Sequence, residues 1–323
     1  MSNGSSDGSH LVEGLVLRGD ARVYHVEIDG RSRPCAPGGR LFEDLESVKS
    51  PVAVGDRVRV TLEGDPARIE EVLPRRNWLS KVASSHDPRE QVLFANVDRV
   101  FVIGSLASPK FSSNRADRIL VGCHWGDIPA TVVLNKLDLD DDGEEPMIRA
   151  TYEAAGYEVL STSATRGDGV ETLRARLGGA RSVFYGASGV GKSSLLNALQ
   201  PGLALKIGKV SKYWDAGKHT TTFSTMVRLD DTSHVIDTPG IRVFRPYGML
   251  KPDLRYRYPE LAPFLGRCRF ADCTHDHEPG CAVADAAEAG KLAPSRYLSY
   301  VELLDELEPP PEEVESITGE FGP

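Results

Sequence analysis

The sequence predicts a multidomain chain with a small β-rich domain, a larger α/β domain and a Cys-rich, partly helical C-terminal domain. Its length of 323 residues suggests two or three domains. Short segments of alternating polarity come first in the chain, and strands that alternate with helices follow them. Three of the five Cys residues then lie within fourteen residues, from Cys268 to Cys281.

The β-rich domain is expected over residues 11–80, after a flexible polar arm at residues 1–10. Apolar and polar residues alternate around Tyr24–Ile28, Val58–Leu62 and Ile69–Val72, and Gly-Asp or Asp-Gly pairs separate these segments. Several short strands without a helical period predict a small β-barrel or sandwich.

The α/β domain is expected over residues 90–245, after polar stretches at Pro74–Asn77 and Ser84–Arg89 that are typical of a linker. The first four strands are predicted at Val97–Ile103, Ala130–Leu134, Tyr157–Leu160 and Ser182–Tyr185. Four helices follow them in alternation, at Arg115–Gly122, Met147–Ala155, Val170–Leu177 and Lys192–Leu199. This alternation predicts a parallel sheet covered by helices on both faces. Residues 246–323 begin rich in Cys, Pro and Arg and become helical through Tyr297–Leu307.

Composition and charge narrow the classes of partner. Hydrophobic residues make up 40% and charged residues 26%, which excludes a wholly disordered chain. The longest apolar stretches fall far short of the ~20 residues of a membrane helix. The first ten residues contain no apolar segment of a secretory signal, and five Cys residues suit a reduced compartment. We therefore expect a cytoplasmic monomer without a membrane partner.

The net charge of −9 comes mainly from one end of the chain. Residues 301–323 contain eight Asp or Glu residues and no Lys or Arg, so the remainder carries about −1. An RNA partner is therefore not excluded, although a local basic patch must bind it. The acidic stretch itself is interpreted as a solvated helix end.

The most specific motif is a phosphate-binding loop (P-loop) between a predicted strand and a predicted helix. It reads Gly186, Ala187, Ser188, Gly189, Val190, Gly191, Lys192, Ser193, followed by Ser194. Glycines let backbone N–H groups converge on phosphate oxygens, and the start of the helix adds positive partial charge. Lys192 is expected to reach the β- and γ-phosphates, and the Ser193 hydroxyl to bind Mg²⁺.

A second motif indicates which base is bound. Asn135, Lys136, Leu137 and Asp138 follow a predicted strand. The Asp138 carboxylate can accept two hydrogen bonds from guanine, whereas adenine offers no such pair of donors. Alone, this tetrapeptide is often only a surface turn, but a P-loop on the same sheet favours a guanine site. Ser163 and Ala164 follow the next strand, where a loop can brace the base.

Two further segments are expected near the γ-phosphate. Asp237 ends an apolar strand and is followed three residues later by Gly240, so the pair can support the Mg²⁺ shell and contact the γ-phosphate. The polar run from Lys218 to Thr222 precedes this strand. One of its threonines can close over Mg²⁺, and Thr221 is favoured over its neighbours.

The order of these motifs is permuted relative to most GTPases, which begin with the P-loop. Here the guanine motif and Ser163 precede the P-loop, and the Asp237 motif comes last. The segment after Asp237 therefore leads directly into the C-terminal domain, so movement there is expected to act on that domain.

The remaining cluster consists of Cys268, Cys273, His275 and Cys281. Four soft ligands within fourteen residues suit a tetrahedral structural Zn²⁺. The alternatives are buried thiols beside a surface histidine, or His277 as the fourth ligand.

Together these residues resemble the ribosome small-subunit-dependent GTPase A family (RsgA, also called YjeQ), and the resemblance covers nearly the whole chain. The permuted order, the run from Gly217 to Thr222 and the Cys/His spacing carry it. The family implies an N-terminal OB-fold that binds ribosomal RNA, a permuted P-loop GTPase domain and a zinc-binding domain that also meets the small subunit. Its implied role is late maturation of the small ribosomal subunit, with GTP hydrolysis stimulated by the subunit.

The resemblance also implies residue roles. Asn135–Asp138 would bind guanine, Gly186–Ser194 would hold the phosphates and Mg²⁺, and the Cys/His cluster would hold one zinc ion. Ile241 stands where many GTPases carry a Gln that orients water, so His219 is the candidate for that role. The alternative is that His219 only packs the loop or touches RNA.

Three other functions compete with this interpretation, and the first is that of another translation-linked permuted GTPase. A P-loop ATPase or kinase is disfavoured by Asp138. A zinc- and RNA-binding protein with an inactive nucleotide site is disfavoured by the intact Lys192, Ser193 and Asp237.

Overall fold

A closed five-stranded barrel forms the N-terminal part of the chain. The computed structural model describes residues 11–20, 23–42, 47–203, 224–238 and 244–307. The barrel strands are β1 (Leu11–Asp20), β2 (Val23–Ile28), β3 (Arg31–Pro37), β4 (Arg57–Thr61) and β5 (Ala67–Val72). Their order is β1-β2-β3-β5-β4, and β1 also pairs with β4, which closes the barrel. The predicted barrel is therefore confirmed.

Alternating side chains fill the barrel interior. Val16, Val26, Val58 and Ile69 are completely buried there. Because side chains alternate between the two faces of a strand, the polar residues between them face outward.

A β-hairpin follows the barrel. It consists of β6 (Trp78–Ser84) and β7 (Asp87–Ala95), which form a separate two-stranded sheet. The interpretation of Ser84–Arg89 as a linker is wrong, because this stretch contains the turn and the beginning of β7. The hairpin also contacts the start of the C-terminal region, since the Val82 amide donates to the Arg245 carbonyl at 3.0 Å.

The central domain is a mainly parallel sheet. Its strands are β8 (Arg99–Ser105), β9 (Ala130–Asn135), β10 (Glu158–Thr162), β11 (Arg181–Tyr185), β12 (Thr225–Arg228) and β13 (His234–Asp237). Its helices are α1 (Ser113–Trp125), α2 (Glu145–Ala154), α3 (Val170–Leu177) and α4 (Lys192–Leu199). The order is β10-β9-β8-β11-β13-β12, and among the strands that the structure describes in this domain only β12 runs antiparallel to its neighbour. The predicted α/β arrangement is confirmed.

The barrel and the central sheet are joined edge to edge. β12 pairs with β1 through Thr225 and Arg18, which links all eleven strands into one sheet. The barrel therefore lies directly against the outer strand of the central domain.

The C-terminal region is helical and has its own core. It contains α5 (Lys251–Leu254), α6 (Ala282–Glu288) and α7 (Pro294–Glu306). Helix α7 packs on α1 of the central domain, where Glu306 forms a two-pronged ion pair with Arg118 at 2.6 and 2.7 Å and Glu302 accepts a hydrogen bond from Asn114. Glu302 and the Glu306 side chain, which is 44% exposed, nevertheless lie at the surface, so the solvated-end interpretation is compatible with these two contacts. No helix in the described ranges is long and apolar enough to cross a membrane.

Candidate nucleotide site and metal centre

The P-loop lies between β11 and α4, as predicted. Gly189 and Gly191 have φ angles of +87° and +101°, a region that L side chains rarely occupy. A Cβ atom on Gly191 would lie 2.2 Å from the Asn135 Nδ2 atom. Glycine is therefore required at residue 191 for two independent reasons, its backbone conformation and its contact with the guanine motif.

Lys192 lies at the first position of α4 and points back into the loop. Its Nζ atom donates to the carbonyl oxygens of Gly186 at 2.8 Å and Ala187 at 3.2 Å. Burial lowers the pKa of Lys192, and burial raises the pKa of the nearby Asp237 to about 6, although each charge favours the other. Two groups of opposite charge therefore interact electrostatically beside the loop.

Asp237 ends β13, and its Oδ1 atom is buried with no hydrogen-bond partner among the described residues. An unpaired buried carboxylate oxygen is costly, and a hydrated cation would satisfy it. Ser193 is buried in the first turn of α4, so its hydroxyl is available at the same end of the sheet. These residues fit a Mg²⁺ ion bound together with nucleotide phosphates.

Thr238 holds the end of β13 beside the P-loop strand. Its amide and its Oγ1 atom both donate to the Phe184 carbonyl, at 3.2 and 2.9 Å. Thr238 therefore fixes the position of Asp237 relative to the P-loop. No pattern in the sequence had indicated this role for Thr238.

The guanine motif is tied to the P-loop through Asn135. Its Nδ2 atom donates to the Val190 carbonyl at 2.9 Å, and its Oδ1 atom accepts from Thr162 Oγ1 at 3.1 Å. Both side chains are almost completely buried, so each hydrogen bond is made away from water. The sequence analysis did not identify Thr162, although it stands directly before Ser163.

Asp138 is held by the serine predicted to brace the base. Ser163 Oγ donates to Asp138 Oδ1 at 2.5 Å, and Ser163 is completely buried. A charge-assisted hydrogen bond of this kind orients the carboxylate. Ala164 follows Ser163 just after the end of β10. The guanine motif and the segment predicted to brace the base therefore lie in contact.

A loop after β8 supports the site from the other side. Lys136 has a φ angle of +64°, and its Nζ atom donates to the Ser108 carbonyl at 2.5 Å. Pro109 lies against Gly189, where an added Cβ would be 3.2 Å from the proline ring. The loop therefore joins the guanine motif to the tip of the P-loop, which no sequence pattern indicated.

The structure thus brings together the predicted residues of the guanine motif, Ser163, Ala164, the P-loop through Ser194, and Asp237. His219, Thr221, Gly240 and Ile241 lie outside the described residues. The roles predicted for these four residues consequently rest on the sequence alone.

The Cys/His cluster has the dimensions of a four-ligand metal site. One ligand atom from each of Cys268, Cys273, His275 and Cys281 lies within 4.8 Å of the others. The Nδ1 atom of His275 lies 3.4 Å from the Cys268 sulfur and 3.5 Å from the Cys281 sulfur, and the two sulfurs are 3.9 Å apart. Tetrahedral Zn²⁺ with ordinary bond lengths requires about 3.6 Å between nitrogen and sulfur and about 3.8 Å between sulfurs.

The surroundings of the cluster indicate which of the two candidate histidines is the fourth ligand. The His277 side chain is 81% exposed and pairs with Asp276, whereas His275 is buried. Tyr297 donates to the His275 carbonyl at 2.9 Å, and Tyr300 donates to the Thr274 carbonyl at 2.7 Å. Helix α7 therefore holds the ligand loop, and His277 is excluded as a ligand in this arrangement.

A buried ionic cluster joins the central and C-terminal domains. Arg296 of α7 donates to Asp117 of α1 at 2.5 Å and to Glu260 at 2.6 Å. Its guanidinium carbon also lies 4.7 Å from the ring centre of Tyr258 and 5.4 Å from that of Tyr152. The side chains of Arg296 and Asp117 are 1% and 0% exposed to solvent. Sequence reasoning missed this cluster because charged residues are usually placed at the surface.

Comparison with known proteins agrees with this geometry. A family model described as RsgA GTPase matches residues 72–246. The chain belongs to the RsgA GTPase family. A relative from Bacteroides thetaiotaomicron named small ribosomal subunit biogenesis GTPase RsgA 2 is 36% identical over 304 residues, which is 92% of this chain and 97% of the relative. The corresponding RsgA protein of Moorella thermoacetica is 39% identical over 297 residues, again 92% and 97% of the two chains.

Solved structures show the same family. The crystal structure of YjeQ from Thermotoga maritima is similar with a TM-score of 0.69 and 33% identity, over 92% of this chain and 99% of that one. The structure of YloQ, described as a circularly permuted GTPase, has a TM-score of 0.62 and 28% identity over 94% and 97% of the chains. The circular permutation described for YloQ agrees with the permuted order of the motifs in this chain.

Proposed function

We propose that this protein hydrolyses GTP and acts in the late maturation of the small ribosomal subunit, which stimulates its turnover. One observation carries the proposal: Asp138, held by Ser163, stands on the same sheet edge as a P-loop containing Lys192 and Ser193. The relatives named above are small ribosomal subunit biogenesis GTPases, which supports the choice of partner.

Base selection rests on Asp138. Its carboxylate accepts two hydrogen bonds from guanine, and adenine would leave this charge without donors. Losing a hydrogen bond to a charged group weakens binding by ~1.5–3 kcal/mol, so about tenfold preference for GTP over ATP is the minimum expected. Lys136 completes this side of the site by fixing the loop at Ser108.

The phosphates are held by the P-loop. Backbone N–H groups from Gly186 to Ser194 and the Lys192 ammonium surround the phosphate oxygens. Ser193, Asp237 and Thr221 would hold Mg²⁺, and Gly240 would offer its amide to the γ-phosphate. Mg²⁺ neutralises charge that develops on the phosphates during transfer to water.

Water activation is assigned to His219, because Ile241 cannot donate or accept a hydrogen bond through its side chain. A positioned group that orients or deprotonates water contributes about 10²–10⁴ in rate. His219→Ala should therefore remove most of the subunit-stimulated rate and leave GTP affinity nearly unchanged. Full stimulation in this variant would assign water activation to another group.

The metal of the Cys/His cluster is assigned as one structural Zn²⁺. Its four protein ligands leave no position for a substrate, so the ion contributes to folding of the C-terminal domain and not to hydrolysis. The division into an OB-fold domain at 11–80, a GTPase domain at 90–245 and a zinc domain at 246–323 belongs to the same proposal. We also propose that the protein is a monomer, that ribosomal RNA is its partner, and that it is located in the cytoplasm, where small subunits are matured.

The experiment is a turnover assay with GTP or ATP, with and without purified small ribosomal subunits. Large subunits and Lys192→Ala are the controls, because the lysine faces the phosphates and its loss should abolish turnover without unfolding the sheet. We expect slow GTP hydrolysis by the free protein, an increase only with small subunits, and poor use of ATP. Equal turnover of ATP and GTP would instead support a P-loop ATPase.

A further inference from the structure

Three arginine–aromatic contacts lie on the surface of the C-terminal region, away from the nucleotide site. The guanidinium carbon of Arg257 lies 4.9 Å from the ring centre of Trp125, that of Arg255 lies 5.6 Å from Tyr256, and that of Arg269 lies 5.5 Å from Phe270. We refer to these six residues as the Arg–aromatic surface.

The three aromatic rings are exposed, although large aromatic side chains are usually buried. Tyr256 is 59% exposed, Phe270 is 42% exposed and Trp125 is 36% exposed. Contiguous exposed apolar groups mark interaction sites, and a guanidinium group is attracted to the face of an aromatic ring.

Backbone contacts connect the members of this surface. Arg255 donates to the Cys273 carbonyl at 3.2 Å, and the Cys273 amide donates to the Phe270 carbonyl. Arg257 is two residues from Arg255 and reaches Trp125 at the end of α1. The surface therefore runs from the end of α1, past the turn at residues 255–257, to the metal-ligand loop.

Charge is concentrated on the same segment. Residues 245–270 contain six Arg or Lys residues and two Asp or Glu residues. Residues 271–300 contain two Arg or Lys residues and five Asp or Glu residues. Within the described ranges, none of Arg255, Arg257 and Arg269 forms an ion pair with a carboxylate. Exposed Arg267 is equally free of a carboxylate partner there. These four arginines are consequently available to an anionic partner.

We infer that the Arg–aromatic surface binds unpaired nucleotides of RNA. Unpaired bases stack on exposed aromatic and guanidinium planes, whereas paired bases in an RNA helix present only their edges. Unneutralised arginines beside the rings suit the phosphates between stacked bases. The choice of RNA rests on the proposed function, in which the small ribosomal subunit is the partner.

The experiment measures binding of a labelled single-stranded RNA of about 12 nucleotides to the full-length protein. Tyr256→Ser and Phe270→Ser should each weaken binding by about 5- to 100-fold, because stacking contributes this much per base. Tyr256→Phe should retain the affinity, since the ring remains. Leu298→Ser is the matched control, because Leu298 is 58% exposed in the same region but lies outside the surface.

Salt dependence tests the phosphate contacts separately. Arg269→Gln should reduce the slope of log affinity against log salt concentration by about 0.7 for a single strand. A double-stranded RNA of the same sequence should bind more weakly than the single strand, and equal binding would overturn the inference. An unchanged affinity in Tyr256→Ser and Phe270→Ser would also overturn it.

Two readouts keep this inference separate from the proposed function. If the parent protein neither co-sediments with small subunits nor is stimulated by them, the proposed function fails. If the parent protein co-sediments with small subunits and is stimulated by them, and the serine variants match it in every assay, only the inference that the Arg–aromatic surface binds RNA is wrong. Serine variants that lose subunit binding while binding RNA oligonucleotides normally would indicate a protein partner, which also overturns the inference. All variants should hydrolyse GTP alone at the parental rate, since none of these residues touches the nucleotide site.

Discussion

Replacing Arg296 by methionine should destabilise the contact between the central and C-terminal domains severely. Arg296 is 1% exposed and faces Asp117, which is completely buried, and Glu260, which is 10% exposed. Methionine fills much of the same volume, so the main effect is that two carboxylates lose their cation. Removing one partner of a buried ion pair costs about 3–5 kcal/mol. This is a large share of the ~5–15 kcal/mol that holds a typical domain folded.

The loss should depend on pH in a defined direction. Burial raises the pKa of Asp117, while the Arg296 charge lowers it, so the variant loses the cation that opposes the effect of burial. A carboxyl group whose pKa is higher in the folded state than in the unfolded state makes the protein less stable as pH rises through that interval. The stability deficit of Arg296→Met should therefore be smaller at pH 5 than at pH 8.

Urea unfolding followed by far-ultraviolet circular dichroism measures both effects. Combining Arg296→Met with Asp117→Asn and Glu260→Gln is the matched comparison, because it removes the stranded charges and should recover a large part of the stability. A deficit below about 1 kcal/mol, or one that does not change with pH, would refute the assignment of this cluster as a buried ionic contact.

Two further predictions concern the nucleotide site and the metal centre. Ser163→Ala should weaken both GTP and GDP binding by about 10-fold or more, because Asp138 loses a charge-assisted hydrogen bond of ~1.5–3 kcal/mol. Calorimetric titration should show this loss of affinity, while ATP binding stays poor. An unchanged affinity for GTP would show that Asp138 needs no support from Ser163. Cys281→Ser should lower the zinc content below the one ion per chain expected of the parent protein. Amide hydrogen exchange should become faster after residue 245 but not in the central sheet. Cys35→Ala, in the barrel, should keep its zinc, and a zinc-free parent protein would contradict the four-ligand assignment.

The predictable parts of the fold are those in which local pattern and packing agree. Helices α3 and α4 begin and end where the sequence predicts, because each carries an apolar stripe and directly follows a glycine at its N-cap. The P-loop and the guanine motif are predictable because their chemistry needs particular residue types at fixed spacing.

Other elements depend on neighbours that are distant in sequence. Strand β3 contains one fully buried residue, Cys35, and includes Pro34, so no alternating pattern marks it. Strand β12 has only four residues and is recognisable mainly through its pairing with β13 and β1. The buried charges of Arg296 and Asp117 cannot be predicted from polarity, because their burial depends on each being the partner of the other.

The pairing between β1 and β12 has a consequence for the solubility of fragments of this chain. A strand at the rim of a sheet carries backbone N–H and C=O groups that can recruit a strand from another molecule. Here the barrel occupies that rim beside Thr225, so the two domains protect one another from edge-to-edge aggregation. A fragment that starts after the barrel would expose β12, and its tendency to associate would reflect the missing neighbour strand, not any instability of the nucleotide-binding core.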